Sequence, residues 1–367
     1  MSAVGTLIDL LAGRRDPAAL EDRDWEAVIS VARAEALAAT LAERLKDAAL
    51  PEAVAALFAD LRAAAEVQQV QALWEAEMAR RALEPAGVRF VLLKGTAYVA
   101  AGLSCADGRQ IGDLDILVAR EDLDRAEAAL LGAGWEWVTA DPYDVAYYRT
   151  HMHELPPLIH RDRDRMIDVH HTILPLTHRA TPDAKAMLAA SVPLPLAGGV
   201  RGGPERTIGV DAPDPPPTSP ASGRGDFGIL SQSDRVIHCA AHVMADGDLV
   251  GGLRNLWDFH LLMADFDQAS SGDWPALIAR AEQHQLAPAV HRACALATHL
   301  FGTPIPARWA RAPSFTDRLF LRALTARDDW GRATRPFSRL AFYIRSHWLR
   351  MPPLLLARHL WVKWRRG

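Results

Sequence analysis

Acidic residues stop at Asp329. The segment from Trp330 to Gly367 holds nine Lys and Arg and no Asp or Glu, which leaves 32 basic against 45 acidic residues in the chain before it. The protein is therefore an acidic body with a basic end, a pattern that suits contact with an anionic surface or a partner protein through the tail and predicts no specific nucleic acid. Cysteine is also scarce. Cys105, Cys239 and Cys294 stand far apart and in no metal-type pair, which argues against a disulfide framework or a zinc knot and fits a reducing compartment. No stretch approaches the roughly 18 consecutive apolar residues of a membrane span. The opening MSAVGTLIDLLAGRRD lacks a basic leader followed by a long apolar run and a small-residue cleavage site, so the expected location is the cytoplasm. Internal repeats are absent too.

What is present is an ordinary globular composition, 50% apolar and 23% charged over 367 residues, enough for a real core and more than one structural unit. Residues 1–86 are rich in Ala, Leu, Glu and Arg at three-to-four spacing, which predicts amphipathic helices. Gly87 ends that pattern, and over 87–192 short β-type runs alternate with helical ones: VRFVLLKG, DLDILV, WEWV, HMHELPPLIH and MIDVHHTIL, the last two separated by the charged turn RDRDR. Mixed strands and helices over about a hundred residues predict a compact sheet unit. The density of Pro, Gly and Ser across 193–230 reads as a linker or surface loop. Helical periodicity returns over 231–329, a predicted bundle, and 330–367 form the basic, aromatic tail.

Chemistry concentrates at Asp113 and Asp115. Residues i and i+2 of a strand share a face, so two like charges point the same way: either water reaches this edge or a cation sits there. Asp168, on a later strand with His170 on the same face, offers a third carboxylate. Three strand carboxylates suit hard divalent ions such as Mg²⁺, in a site for two of them. The turn Lys94-Gly95-Thr96 complements this with a point charge and a glycine that lets the backbone approach a phosphate, while Thr96 can cap the next helix or touch a phosphate oxygen. Arg109, just before the aspartates, is a second cation for a triphosphate. The plainer readings are a helix start for Lys94-Gly95-Thr96 and a solvated edge for the aspartates. The order of the elements favours the joint site.

In that order and those residue types, LLKG, then Arg109 with GDLDILV, then HELPPL, IDVHHTIL, SDRVIHCAAH and LRNLWDFHLLM, the sequence resembles the nucleotidyltransferase superfamily of DNA polymerase beta-like fold. More narrowly it resembles an uncharacterised bacterial nucleotidyltransferase family, over about Val88 to Phe266. The resemblance implies an α+β fold: a mixed sheet flanked by N-terminal helices and a C-terminal helical bundle. It implies Mg²⁺ on Asp113, Asp115 and Asp168, and the phosphates of a nucleoside triphosphate, ATP included, on Gly95 and Thr96. A hydroxyl acceptor (a small molecule, sugar or modified peptide) would attack the α-phosphate and expel pyrophosphate. Lys-Gly-Thr stands where many superfamily members have Gly-Ser, and Gly95 precedes Asp113 by 18 residues, longer than the commonest spacing.

Histidines are dense at His151, His153, His160, His170 and His171. His153 and His170 are expected on the acceptor side, where either can orient a hydroxyl or act as general base. A transition-metal site is the alternative, which would make the protein a metal-dependent hydrolase. In the helical part, Arg254 and Asp258 are four apart, as are His238 and His242. They are a surface ion pair and half-buried histidines or, by the resemblance, a cover over the active-site cleft. The remaining alternative is a catalytically silent member that binds a nucleotide or a partner.

Overall fold

The computed structural model describes residues 2–139, 141–194, 227–245, 249, 251–270, 273–350, 356 and 361. Four helices come first: α1 (Ala3–Leu11), α2 (Asp22–Ala34), α3 (Ala38–Arg44) and α4 (Glu52–Leu83). Val4, Leu7, Ile8 and Leu11 give α1 one apolar face. Along α4 the buried residues fall at Val54, Phe58, Ala65, Ala72, Ala76, Ala79 and Leu83, a stripe of small side chains that lets this long helix lie close to its neighbours. It packs on α3 and, through its second half, on the sheet unit.

That unit is a mixed α+β fold, as its sequence predicts. Among the described residues seven strands form one sheet: β1 (Phe90–Leu92), β2 (Leu114–Val118), β3 (Trp135–Trp137), β4 (Leu158–His160), β5 (Met166–His170), β6 (Val192–Leu194) and β7 (Phe227–Ile229), in the order β3-β4-β5-β2-β1-β7-β6. β2 is central, buried throughout, antiparallel to β1 and parallel to β5. Helices α5 (Lys94–Ala100), α6 (Leu123–Gly132), α7 (Pro142–His151) and α8 (Ala184–Ala189) connect the strands. The RDRDR turn is tied back to α4. Arg163 donates to both carboxylate oxygens of the buried Glu75, at 2.8 and 3.0 Å, and its guanidinium lies over the rings of Trp74 and Trp135.

Two stretches differ from their sequence reading. HMHELPPLIH is not one β-type run. Asp141 accepts from the backbone of Tyr143 and Asp144, Pro142 sits at the first helical position, and the helix so started runs on to His151. His151 therefore ends α7 while His153 belongs to the turn that follows, so the two do not share a strand face. The Pro/Gly-rich stretch lies outside the described residues over 195–226, but both its described ends are strands. β6 and β7 pair antiparallel, and β7 pairs parallel with β1. Gly228 makes this approach feasible, because a Cβ there would stand 3.1 Å from Val91 Cγ2 and 3.3 Å from Phe90 O.

Beyond the sheet come α9 (Gln232–Ala245), α10 (Gly252–Ser270), α11 (Trp274–Gln283), α12 (Ala287–Phe301), α13 (Phe315–Leu324) and α14 (Pro336–Arg350). Ser231 caps α9 and donates to Asp234. The wholly buried Asp234 also pairs with Arg280 and His284 of the neighbouring segment, which holds its carboxyl down at about 2 although burial alone would raise it. One contiguous core runs from α1 through the sheet to α12 and reaches Phe342, so the stretches 1–86, 87–192 and 231–329 share it. Among the described residues no helix is long and apolar enough to cross a membrane.

Candidate functional site

The site grows from the corner where β1 ends. Leu93 continues the ladder by donating to the Asp115 carbonyl at 2.9 Å, and Lys94 then adopts a left-handed backbone, φ +47°, as α5 begins. A non-glycine residue held there is strained by about 1–3 kcal/mol. Its ammonium reaches the Asp115 carboxylate at 2.6 Å. The parallel pairing of β2 and β5 sets Asp168 directly beside Asp115. Because the pleat returns every two residues, His170 shares that face, with Nε2 3.0 Å from Asp115 Oδ1.

A residue not singled out in the sequence completes the cluster. Glu154 forms an isolated antiparallel bridge with His170, and Leu155 N and His171 N carry the pairing on with bonds to Val169 O and His153 O, each 2.9 Å. Glu154 Oε2 stands 3.3 Å from His170 Nδ1 and 3.6 Å from His153 Nε2. One donor atom from each of Asp115, Asp168 and His170 lies within 4.8 Å of the others, and so do atoms of His153, Glu154 and His170. Of the five clustered histidines, only His153 and His170 come together here, with ring centres 5.1 Å apart. His160 stands on β4 against Trp135. The imidazole of His171 is pushed down to about 4 by burial and Arg120.

The electrostatics divide the carboxylates into two kinds. Burial alone would raise the Asp115 carboxyl, but Lys94 and His170 outweigh it and hold the group well below the usual range. Burial would likewise lower His170, yet its hydrogen bond to Asp115 and the charge of Glu154 outweigh that and raise it above the ordinary imidazole value. At Asp168 His170 also lowers the carboxyl, but the opposing influences are larger. Burial first, then the charges of Asp115 and Glu154, push it up to about 7, and its Oδ1 is buried with no hydrogen-bond partner among the described residues. Asp113, one residue before β2 and exposed, is raised chiefly by Asp115 and then by burial. Asp115 is thus satisfied by the protein's own cations, while Asp113 and Asp168 are charges still in want of one. His238 of α9 backs the cluster as a neutral imidazole, lowered to about 3 by burial and then by Lys94.

The other residues named from sequence meet elsewhere. Arg109 pairs with Asp258 and lies 5.5 Å over the Tyr98 ring. Its side chain covers Gly95, where a Cβ would come within 2.8 Å of Arg109 Nε, so the glycine makes room for the guanidinium. Asp258 also forms an ion pair with Arg254, Nη2 to Oδ1 at 2.8 Å, and Arg254 donates to Thr40 Oγ1 and to Cys105 O. Arg109, Arg254 and Asp258 therefore form one buried polar knot joining α3, α5 and α10. Thr96 does not cap α5: Leu93 holds the cap position, and the buried Thr96 hydroxyl has no partner among the described residues. Asp258→Ala would leave two buried guanidinium groups without their counter-charge. It is expected to cost about 3–5 kcal/mol in urea unfolding, and a loss below about 1 kcal/mol would show that the knot does not hold the helices together.

These features, two carboxylates on neighbouring parallel strands with a third just before them and a Lys-Gly-Thr corner opposite, can be set beside known proteins. The sequence profile of a family described as "Uncharacterised nucleotidyltransferase" matches residues 21–302, which is 282 of the 367. That span runs from the cap of α2 through the sheet and the carboxylate cluster to the end of α12. No curated protein matches the chain. With three quarters of its length covered by that profile, the chain belongs to this uncharacterised nucleotidyltransferase family.

Proposed function

We propose that the chain moves a nucleoside monophosphate from a nucleoside triphosphate to a hydroxyl acceptor, a small molecule, sugar or modified peptide, in the cytoplasm. The observation that carries the reading is the register of β2 and β5, which leaves a buried, partnerless Asp168 oxygen beside Asp115. Such a donor set fits a hard divalent cation: it consists of oxygens, and two of its members, Asp113 and Asp168, resist ionisation without one. Asp113, Asp115 and Asp168 would hold Mg²⁺, which when bound supplies charge neutralisation at the phosphates.

The chain's own residues do the rest. The acceptor oxygen bonds to the α-phosphorus as the bond from that phosphorus to the β-phosphate bridging oxygen breaks, and pyrophosphate leaves. The hydroxyl proton passes to a general base on the acceptor side, His153 with Glu154 beside it. His170, between Asp115 and Glu154, orients Asp115. Lys94 and the backbone of Gly95 and Thr96 face the phosphates, the polar knot of Arg109 and Asp258 holds that corner from behind, and His153 with Glu154 borders the acceptor. The test is transfer of label from α-phosphate-labelled triphosphates to components of a cell extract, with pyrophosphate measured in parallel. Absence of both for every triphosphate and divalent ion tried would leave the silent-binder alternative.

Lys94 yields a separate expectation. Its ammonium already occupies Asp115 Oδ1, so it competes with any metal ion for that oxygen. Lys94→Met should bind Mn²⁺ in the absence of nucleotide about tenfold or more tightly than wild type, as read by electron paramagnetic resonance. Equal or weaker binding would mean that Lys94 and the metal do not share the oxygen.

A further inference from the structure

Helix α14 packs one face on the described residues and leaves an apolar one exposed among them. Phe342 and Ser346 are buried, Phe342 edge-on against Phe320 of α13 with ring centres 4.9 Å apart. Opposite them, Phe337, Leu340, Ile344 and Trp348 are 86, 54, 57 and 52% exposed. Their spacing of three, four and four residues makes a single stripe along the helix. The stripe continues sideways onto α13 at Leu319, which with Phe337, Ala341 and Phe342 lines an apolar hollow of about 390 Å³. Scattered apolar residues on a surface need no account, but a contiguous aromatic stripe does.

Charge says what covers it. The stripe lies in the segment with nine basic residues and no acidic one, on a chain otherwise acidic, and Arg332, Arg335 and Arg339 beside it are exposed. A second copy laid on the same face would bring two such basic segments together. A nucleic acid would match the charges and leave four large apolar side chains in water. An anionic bilayer takes both, the stripe at the acyl boundary and the basic residues over the headgroups.

We propose that α14, with the exposed Arg332, Arg335 and Arg339, docks the protein on an anionic phospholipid surface, lying on the bilayer and not crossing it. This stands apart from the nucleotidyl transfer reading and holds whether or not the carboxylate site is active. The experiment is flotation of the full chain with vesicles of phosphatidylcholine alone and with added phosphatidylglycerol, at low and high salt, comparing wild type with Leu340→Glu/Ile344→Glu. Both positions are exposed, so the variant should keep its circular dichroism and melting point. Wild type should float with the phosphatidylglycerol vesicles only, less so at high salt, and the variant should bind at least about tenfold more weakly. The proposal is overturned if wild type does not float, or if the variant floats equally well. It is also overturned if light scattering shows a vesicle-independent dimer that the variant disperses, since the stripe would then belong to a second copy.

Discussion

Asp168→Asn should abolish nucleotidyl transfer and at the same time make the protein more stable. Wild-type Asp168 is raised from an ordinary 3.8 to about 7 by burial and by three neighbouring carboxylates, those of Asp115, Glu154 and Asp113. Between those values the folded protein holds a proton that the unfolded chain has lost, so stability falls as the pH climbs from about 4 to about 7 and the full cost stands above that. For a half-buried group that cost is on the order of 2–4 kcal/mol. Asparagine does not pay it. The variant should therefore melt higher than wild type at pH 8, with the gain fading to nothing near pH 4, while Mg²⁺ raises the melting point of wild type and not of the variant. Transfer should fall about 10³-fold, the equivalent of several kcal/mol of transition-state charge stabilisation. A variant that is less stable at pH 8, or that transfers normally, would remove Asp168 from the site.

Asp115→Asn is expected to fail on both counts. The amide matches the carboxylate in shape but leaves Lys94 without its counter-charge and removes the carboxylate that raises the almost fully buried His170. Breaking a buried pair in this way costs about 3–5 kcal/mol, and transfer should drop about 10³-fold as well. The pH signature is opposite to that of Asp168. Asp115 is depressed in the folded state, so its contribution is complete above the unfolded value of about 3.8 and is lost only as the pH falls through the folded one. The share made with Lys94 should therefore persist from pH 8 to about 4, while the share made with His170 is complete below about 6.5 and declines as the pH rises above it. Urea unfolding at several pH values separates the two variants. If Asp115→Asn behaved like Asp168→Asn, the division into a satisfied and an unsatisfied carboxylate would be wrong.

The parts of this site legible in the sequence are those carried by local spacing. Asp113-x-Asp115 and Asp168-x-His170 declare shared faces because a strand repeats every two residues, and the glycine of Lys94-Gly95-Thr96 marks a close approach whatever its partner. The partner itself was harder to read. Arg109 reads as a phosphate ligand because it precedes the aspartates, yet its counter-charge is Asp258, 149 residues away. Glu154 carries no periodic signal, since it acts from an isolated bridge. Over DPYDVAYYRTH the helix signals of Asp141 and Pro142 are present, but the histidines that follow suggest a strand. β6 and β7 are three residues long, too short for alternation to show against Pro and Gly.

Composition and periodicity by themselves determined the class of this protein: helices, a mixed sheet, helices again, with carboxylates on the sheet and a tail of one charge. These are properties of a residue and its near neighbours, and near neighbours are what a sequence displays. Only the tertiary structure decided which charges meet. It set Asp168 beside Asp115 across 53 residues of chain, brought Lys94 and His170 onto the Asp115 carboxylate while leaving Asp168 Oδ1 with no hydrogen bond among the described residues, and drew Arg109 away to Asp258. Strand register and helix docking come from packing the whole core at once, and the strength of a charge pair depends on how much water that packing leaves around it.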